Sequence, residues 1–193
     1  MGGEHVTGEE VLQIFRDTRA LLDGHFVLRS GLHSRQYFQC AMVLQHPRIA
    51  EQLCGNLALK LKNGGAQVVI SPALGGLFVG YEVARALDLR HVFVEKNSAG
   101  KLELRRSFQV ARGERVLVVE DVVTKGGRVR ETLDIVQALG GEVVGVGALV
   151  DRSAGKVDIG VPLESLLRLS IDTFDPATCP LCQAGAPVIK PGS

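Results

Sequence analysis

The chain has 193 residues, 46% of them apolar, with 22 Lys and Arg against 21 Asp and Glu and a formal net charge of +1; that is enough apolar material for one substantial core, and chains of this length commonly form one domain. A near-neutral balance without Lys/Arg blocks or interleaved aromatics argues against a nucleic-acid face. No apolar run approaches the ~18 residues of a membrane span, and MGGEHVTGEE at the N-terminus lacks the basic and apolar regions of a secretory signal, so a cytoplasmic protein without membrane partners is expected.

Thr7 followed by Glu10 is a capping-box pair, and Val11, Ile14, Phe15 and Thr18 recur at helical spacing, which predicts a first amphipathic helix reaching about Leu22. Strand character follows from Phe26 to Val43. Pro47 suits a helix start, and Ile49, Leu53, Leu57 and Leu61 repeat at fourth positions up to the Asn63-Gly64-Gly65 stop. Strands are then predicted at Gln67–Ser71, His91–Glu95, Arg115–Glu120 and Glu142–Asp151, with helices between them at Gly76–Leu87 and Arg128–Leu139. Strands alternating with crossover helices predict an α/β protein with a mostly parallel sheet covered by helices.

Two glycine turns lead from strands into helices. Ser71-Pro72-Ala73-Leu74-Gly75-Gly76 ends the first strand of the series; glycines let a backbone approach a ligand closely, and a helix N-terminus offers N–H donors to an anion. The run Val116–Arg128, VLVVEDVVTKGGR, is richer. Its Val116–Val119 stretch suits a strand covered on both faces, and Glu120 and Asp121 stand at the strand's carboxyl end, the edge at which α/β sheets bind ligands. Adjacent carboxylates there can accept hydrogen bonds from vicinal hydroxyls. Thr124, Gly126 and Gly127 add a hydroxyl and an unobstructed backbone, and the helix from about Arg128 turns its unpaired N–H groups back on the loop, so a sugar phosphate is the ligand class that fits. The run matches neither GxxxxGK followed by Ser or Thr nor GxGxxG, which sets aside a Walker A loop and a dinucleotide fingerprint.

Val116–Arg128 resembles the signature of the type I phosphoribosyltransferases, and Phe26–Phe38, FVLRSGLHSRQYF, is similar to the FxLxSGxxSxxY motif of the orotate phosphoribosyltransferases. With the first glycine turn and the Asp151-Arg152 pair, the resemblance covers most of the chain. It implies the type I fold, a mostly parallel central sheet flanked by helices under a small N-terminal hood. The single domain then divides into a hood at about 1–45, a core at about 46–172 and a C-terminal extension at about 173–193. The implied reaction is transfer of ribose 5-phosphate from phosphoribosyl pyrophosphate (PRPP) to orotate, giving orotidine 5′-monophosphate and pyrophosphate in pyrimidine synthesis. Mg²⁺ would be carried mainly by PRPP, and the protein would be a homodimer with shared active sites.

On that resemblance Glu120 and Asp121 meet the ribose hydroxyls, and with Lys96 they are the catalytic candidates. Val122, Val123, Thr124, Lys125, Gly126, Gly127 and Arg128 wrap the 5′-phosphate, while Ala73, Leu74, Gly75 and Gly76 hold the pyrophosphate. Arg29, Tyr37, Phe38, Thr124 and Arg152 form the orotate side, where a forked guanidinium suits a carboxylate. The alternative for Arg152 is an ion pair with Asp151, and for the aromatics a place in a strand core. The polar segment Lys96–Arg106 implies a mobile loop over PRPP, with Lys96, Lys101, Arg105 and Arg106 all open as its acting cation; the alternative is a charged hairpin. Three positions depart from the commonest family residues: Arg29 replaces Lys, Lys125 a small residue and Arg128 a Ser or Ala. The last two add charge that either tightens PRPP binding or pairs with an acid elsewhere. A purine phosphoribosyltransferase is opposed by Phe26–Phe38 and Arg152, and a PRPP-sensing regulator would want a DNA-binding domain or basic RNA surface that the sequence lacks.

Cys40, Cys54, Cys179 and Cys182 are too few for a disulfide scaffold. Cys179-Pro180-Leu181-Cys182 is half a zinc site at most. With no second CxxC or spaced His pair beside it, a pair of thiols in a C-terminal turn and no metal site is expected.

Overall fold

The computed structural model describes residues 6–28 and 30–191. Helix α1 (Gly8–Asp17) opens on the expected capping box: the Thr7 hydroxyl accepts the Glu10 N–H, and the Thr7 N–H donates to the Glu10 carboxylate at 2.7 Å. It is shorter than its periodicity predicts. Arg19 takes a left-handed conformation (φ +56°), and Leu21 and Leu22 pass into strand β1 (Leu21–Val27), where they pair with Phe38 and Tyr37 of strand β2 (His33–Phe38). The strand character expected as far as Val43 also stops early, because Cys40–Leu44 forms the short helix α2.

Helix α3 (Pro47–Leu61) matches its sequence pattern and buries Leu53, Leu57 and Leu61. Strand β3 (Val68–Pro72), helix α4 (Gly75–Leu87), strand β4 (Arg90–Lys96) and strand β5 (Leu102–Leu104) follow. Strand β6 (Arg115–Val123), helix α5 (Gly127–Ala138), strand β7 (Glu142–Asp151) and strand β8 (Leu163–Arg168) complete the main layers. Strand β9 (Thr173–Phe174) and the single-turn helix α6 (Pro180–Gln183) lie in the C-terminal extension. The short strands β5, β8 and β9 carry no local pattern that predicts them.

The central sheet has the order β5-β4-β3-β6-β7-β8 and is parallel except for β5, which returns antiparallel on β4. Its inner strands are continuous apolar runs because both faces are covered. One face packs Val69, Leu117 and Val119 against α3, α4 and the α1–α2 region; the other packs Ile70, Val118 and Val146 against Val129, Leu133 and Val136 of α5. A second, antiparallel sheet, β1-β2-β9, forms the hood, and Leu21 and Phe38 join it to the first core cluster.

Strand order positions the site. From β3 the chain winds outward through β4 and β5, then returns to lay β6 on the other side of β3 and winds the opposite way through β7 and β8. The switch point therefore falls between β3 and β6, and a crevice forms at the carboxyl ends of strands where winding reverses. The two glycine turns follow these two strands. Pairing of β3 with β6 ends at Ile70 and Val118, whereas β6 runs on beside β7 to Val123, so Glu120 and Asp121 lie within the strand rather than beyond it.

Candidate active site

A cavity of about 1020 Å³ opens at this switch point. Tyr37, Phe38, Gly75, the whole of Glu120–Arg128 and Arg152 line it. Ala73, Leu74, Gly76 and Lys96 do not. Arg29 lies outside the described residues, although its neighbours Leu28, Ser30 and Leu32 face the cavity.

The two glycine turns meet across the acids. A Cβ on Gly75 would stand 2.8 Å from both carboxylate oxygens of Asp121, and one on Gly76 would stand 3.0 Å from a carboxylate oxygen of Glu120. A Cβ at Gly75 would force the Asp121 carboxylate to move and one at Gly76 would crowd Glu120 and the Val119 carbonyl, so glycine lets the first turn abut the acidic pair as it stands. The Arg128 guanidinium closes the arrangement by donating to the Ala73 carbonyl at 3.1 Å. Thus Ala73 contacts the second loop without lining the cavity. Gly126 caps α5 in a left-handed conformation (φ +72°), and a Cβ there would meet Val157 at 2.9 Å. No side chain caps this helix, so its first N–H groups face the loop.

Burial first, and the adjacent Asp121 charge second, push the Glu120 carboxyl well above the ordinary carboxylate range, while Arg128 opposes the shift. Each acid spends one oxygen on the strand end: Glu120 Oε1 accepts the Asp121 N–H at 3.1 Å, and Asp121 Oδ1 accepts the Val122 N–H at 2.8 Å. No other protein N–H donates to either carboxylate among the described residues, so the pair can accept from a ligand's hydroxyls. Behind them the fully buried Cys40 thiol is raised far above its usual value by burial and then by the Asp121 and Glu120 charges, which keeps it neutral.

Arg152 does not pair with Asp151. Asp151 is buried, accepts from the Ser153 N–H and hydroxyl and the Gly155 N–H, and lies 3.4 Å from Arg168. Arg152 instead lines the cavity, where burial lowers its pKa from the ordinary arginine value. Its Nε is buried and has no hydrogen-bond partner among the described residues. A buried donor of this kind calls for an acceptor that the protein does not supply. The two aromatics divide: Tyr37 lies against Phe26, whereas Phe38 is 6% exposed and packs edge-on against Phe15 at 5.7 Å, so it belongs largely to the core.

The segment after Lys96 folds back as a hairpin. Lys96 pairs with Leu102, and the Asn97 side chain accepts the Ala99 and Lys101 N–H groups. Arg106 makes two 3.0 Å bonds to Glu95 and stacks 5.5 Å from the Phe93 ring centre, and Arg105 approaches the same carboxylate. Sequence reading missed Arg130, which pins the phosphate-type loop by donating to the Lys125 and Asp158 carbonyls at 2.8 and 2.6 Å, and Ser153 and Lys156, which line the cavity from the segment after β7. None belongs to the signature run as a site residue; only the return of this segment over the loop brings them in. Neither Lys125 nor Arg128 forms an ion pair with an acid among the described residues.

Comparison with known proteins agrees with this geometry. The profile of the phosphoribosyl transferase domain matches residues 39–162. An orotate phosphoribosyltransferase of Desulforamulus reducens is 57% identical over 185 residues, covering 96% of this chain and 96% of that one. Among solved structures, an orotate phosphoribosyltransferase from Aeropyrum pernix superposes with a TM-score of 0.69 at 25% identity, over 81% of this chain and 92% of that one. An adenine phosphoribosyltransferase from Thermoanaerobacter pseudethanolicus does so with a TM-score of 0.61 at 23% identity, over 68% and 87%, which shows the shared fold alone. The chain belongs to the phosphoribosyl transferase family, in its orotate phosphoribosyltransferase branch.

Proposed function

We infer that the protein transfers ribose 5-phosphate from PRPP to orotate, forming orotidine 5′-monophosphate and pyrophosphate. The observation that carries the choice of base is Arg152, a cation that lines the same cavity as the paired acids and forms no ion pair among the described residues. A planar base bearing a carboxylate satisfies it; adenine or hypoxanthine does not. In this reading the turn before α5 holds the 5′-phosphate, the Ala73–Gly76 turn holds the pyrophosphate, and Glu120 and Asp121 between them grip the ribose hydroxyls. A bond forms between the orotate ring nitrogen and the anomeric carbon as the bond from that carbon to pyrophosphate breaks. The acids need take no proton, since the ring nitrogen attacks as an anion; the negative charge of the pair, which the raised Glu120 pKa leaves chiefly on Asp121, favours the positive character that develops on the ribose. Mg²⁺, carried by PRPP, would supply charge neutralisation to the leaving pyrophosphate, and the carboxylates of Glu120 and Asp121 would accept from the hydroxyls and water around such an ion.

Lys96 lies outside its own chain's cavity and is exposed, and Phe78 and Tyr81 on α4 are 64% and 62% exposed. Those features support a homodimer in which the β4–β5 hairpin serves the partner's site. No helix of the described residues is long and apolar enough to cross a membrane, which accords with a cytoplasmic enzyme. Incubation of the protein with Mg²⁺ and PRPP plus orotate, uracil, adenine or hypoxanthine tests the central reading. Orotidine 5′-monophosphate should form from orotate and negligible nucleotide from the others; a purine nucleotide as the main product would overturn it.

A further inference from the structure

Away from the cavity, four potential metal ligands converge from two regions that are distant in sequence, the hood hairpin and the C-terminal turn. His25 of β1, His33 of β2, and Cys179 and Cys182 of the C-terminal turn place one ligand atom each within 4.8 Å of one another. His25 Nε2 lies 2.8 Å from His33 Nδ1, 3.6 Å from Cys179 Sγ and 3.7 Å from Cys182 Sγ, and Cys182 Sγ lies 3.3 Å from His33 Nδ1. The expectation of an unaccompanied thiol pair rested on the lack of a nearby His pair, and hairpin pairing supplies that pair.

We propose that these residues form a structural zinc site. Tetrahedral zinc with bonds of about 2.0–2.1 Å to nitrogen and about 2.3 Å to sulfur has ligand-to-ligand edges of about 3.4–3.8 Å. The three nitrogen-to-sulfur distances lie on or near that range, and the two imidazoles need only separate slightly. His25 is already held in the required tautomer: its Nδ1 lies 3.0 Å from the Ala186 carbonyl, which can only accept, so the proton sits on Nδ1 and the Nε2 lone pair faces the cluster. Two thiolates cancel the charge of Zn²⁺, so the group can be buried without an unpaired charge. His25, His33 and Cys179 are all buried, with Cys182 at the solvent side. Four protein ligands leave no open position, which makes the site structural rather than catalytic, and the mixed sulfur and nitrogen set selects zinc over Mg²⁺.

A second observation says why a metal belongs here. Among the described residues from 173 onward, Cys179 alone is buried, so the extension brings almost no apolar core of its own. It nevertheless follows a defined path: β9 pairs with β2 at His33 and Ser34, and Ile189 exchanges backbone hydrogen bonds with His25 and Val27 of β1. Zinc ligation supplies folding free energy where burial cannot. It would staple the extension to the hood hairpin, whose tip residues Leu28, Ser30 and Leu32 line the base end of the cavity.

The test is metal content and cobalt spectroscopy on the whole protein, purified without chelator or metal-affinity resin. About one zinc per chain is expected, falling to under about a tenth in the C179S/C182S variant. Reduced protein stripped of metal should bind one equivalent of Co²⁺ with a thiolate-to-cobalt charge-transfer band that the same variant lacks. If that variant does not fold, H33Q, which keeps both thiols, should weaken the band's metal affinity at least tenfold. Zinc below a tenth of an equivalent together with no thiolate band on Co²⁺ titration would overturn the proposal. Zinc retained by the folded double variant, or a Cys179–Cys182 disulfide in freshly purified protein, would do the same. None of these readouts depends on turnover, so they stand apart from the assignment of the reaction.

Discussion

Arg152 and Glu120 show how a single buried polar group is set up for a ligand. Because Arg152 lines the cavity and forms no ion pair among the described residues, removing the side chain leaves a ligand carboxylate unpaired without freeing a protein carboxylate. Arg152→Ala is expected to raise the KM for orotate at least ~30-fold, the equivalent of about 2 kcal/mol for a lost charge-assisted contact, with PRPP affinity changed little. Separate steady-state titrations of the two substrates check this, and equal damage to both would exclude the assigned role. Glu120 carries a stability cost instead. Its folded-state pKa is raised, so the stability it confers is full below the ordinary carboxylate value and is lost as pH climbs through the raised one. Glu120→Gln should therefore melt higher than wild type near about pH 8 and equally near about pH 4, while turnover falls. Melting curves at the two pH values decide it; a lower Tm for the variant at the higher pH would refute the linkage.

At the scale of elements, the loop between β6 and α5 is held by its backbone as much as by its charges. Gly126 is doubly constrained, by its left-handed φ and by the 2.9 Å approach of Val157 to a Cβ. Gly126→Ala should cost about 1–3 kcal/mol, seen as a lower denaturation midpoint, and should raise the KM for PRPP more than that for orotate. A variant with unchanged stability and PRPP kinetics would show that the loop tolerates another path. Elements with strong local signals were legible in the chain: α3 by its repeat of leucines, the inner strands by their β-branched runs, α5 by its glycine entry. Those defined by a partner were not. Leu22 continues the spacing of α1 yet pairs with Tyr37 in the hood, and the three-residue β5 and two-residue β9 exist only through ladders to β4 and β2.

For the whole molecule, the exposed Phe78 and Tyr81 on the first turns of α4 adjoin the pyrophosphate-type turn, and exposed aromatic surface beside a site suits a subunit interface. The double variant F78E/Y81E should shift the protein from dimer to monomer by light scattering and lose most of its activity with it; a monomeric wild type, or an active monomeric variant, would remove the shared-site reading. The chemistry of this protein is written locally. Glu120, Asp121 and the glycines after them are neighbours in the chain, and residue type with spacing was enough to read a sugar-phosphate site there. Tertiary structure alone decided what is assembled from afar: the freedom of Arg152 from Asp151, the pinning of the loop by Arg130, and the meeting of His25 and His33 with Cys179 and Cys182. Short-range order follows from backbone conformation and burial period, whereas these contacts depend on strand order and hairpin register, which no local pattern encodes.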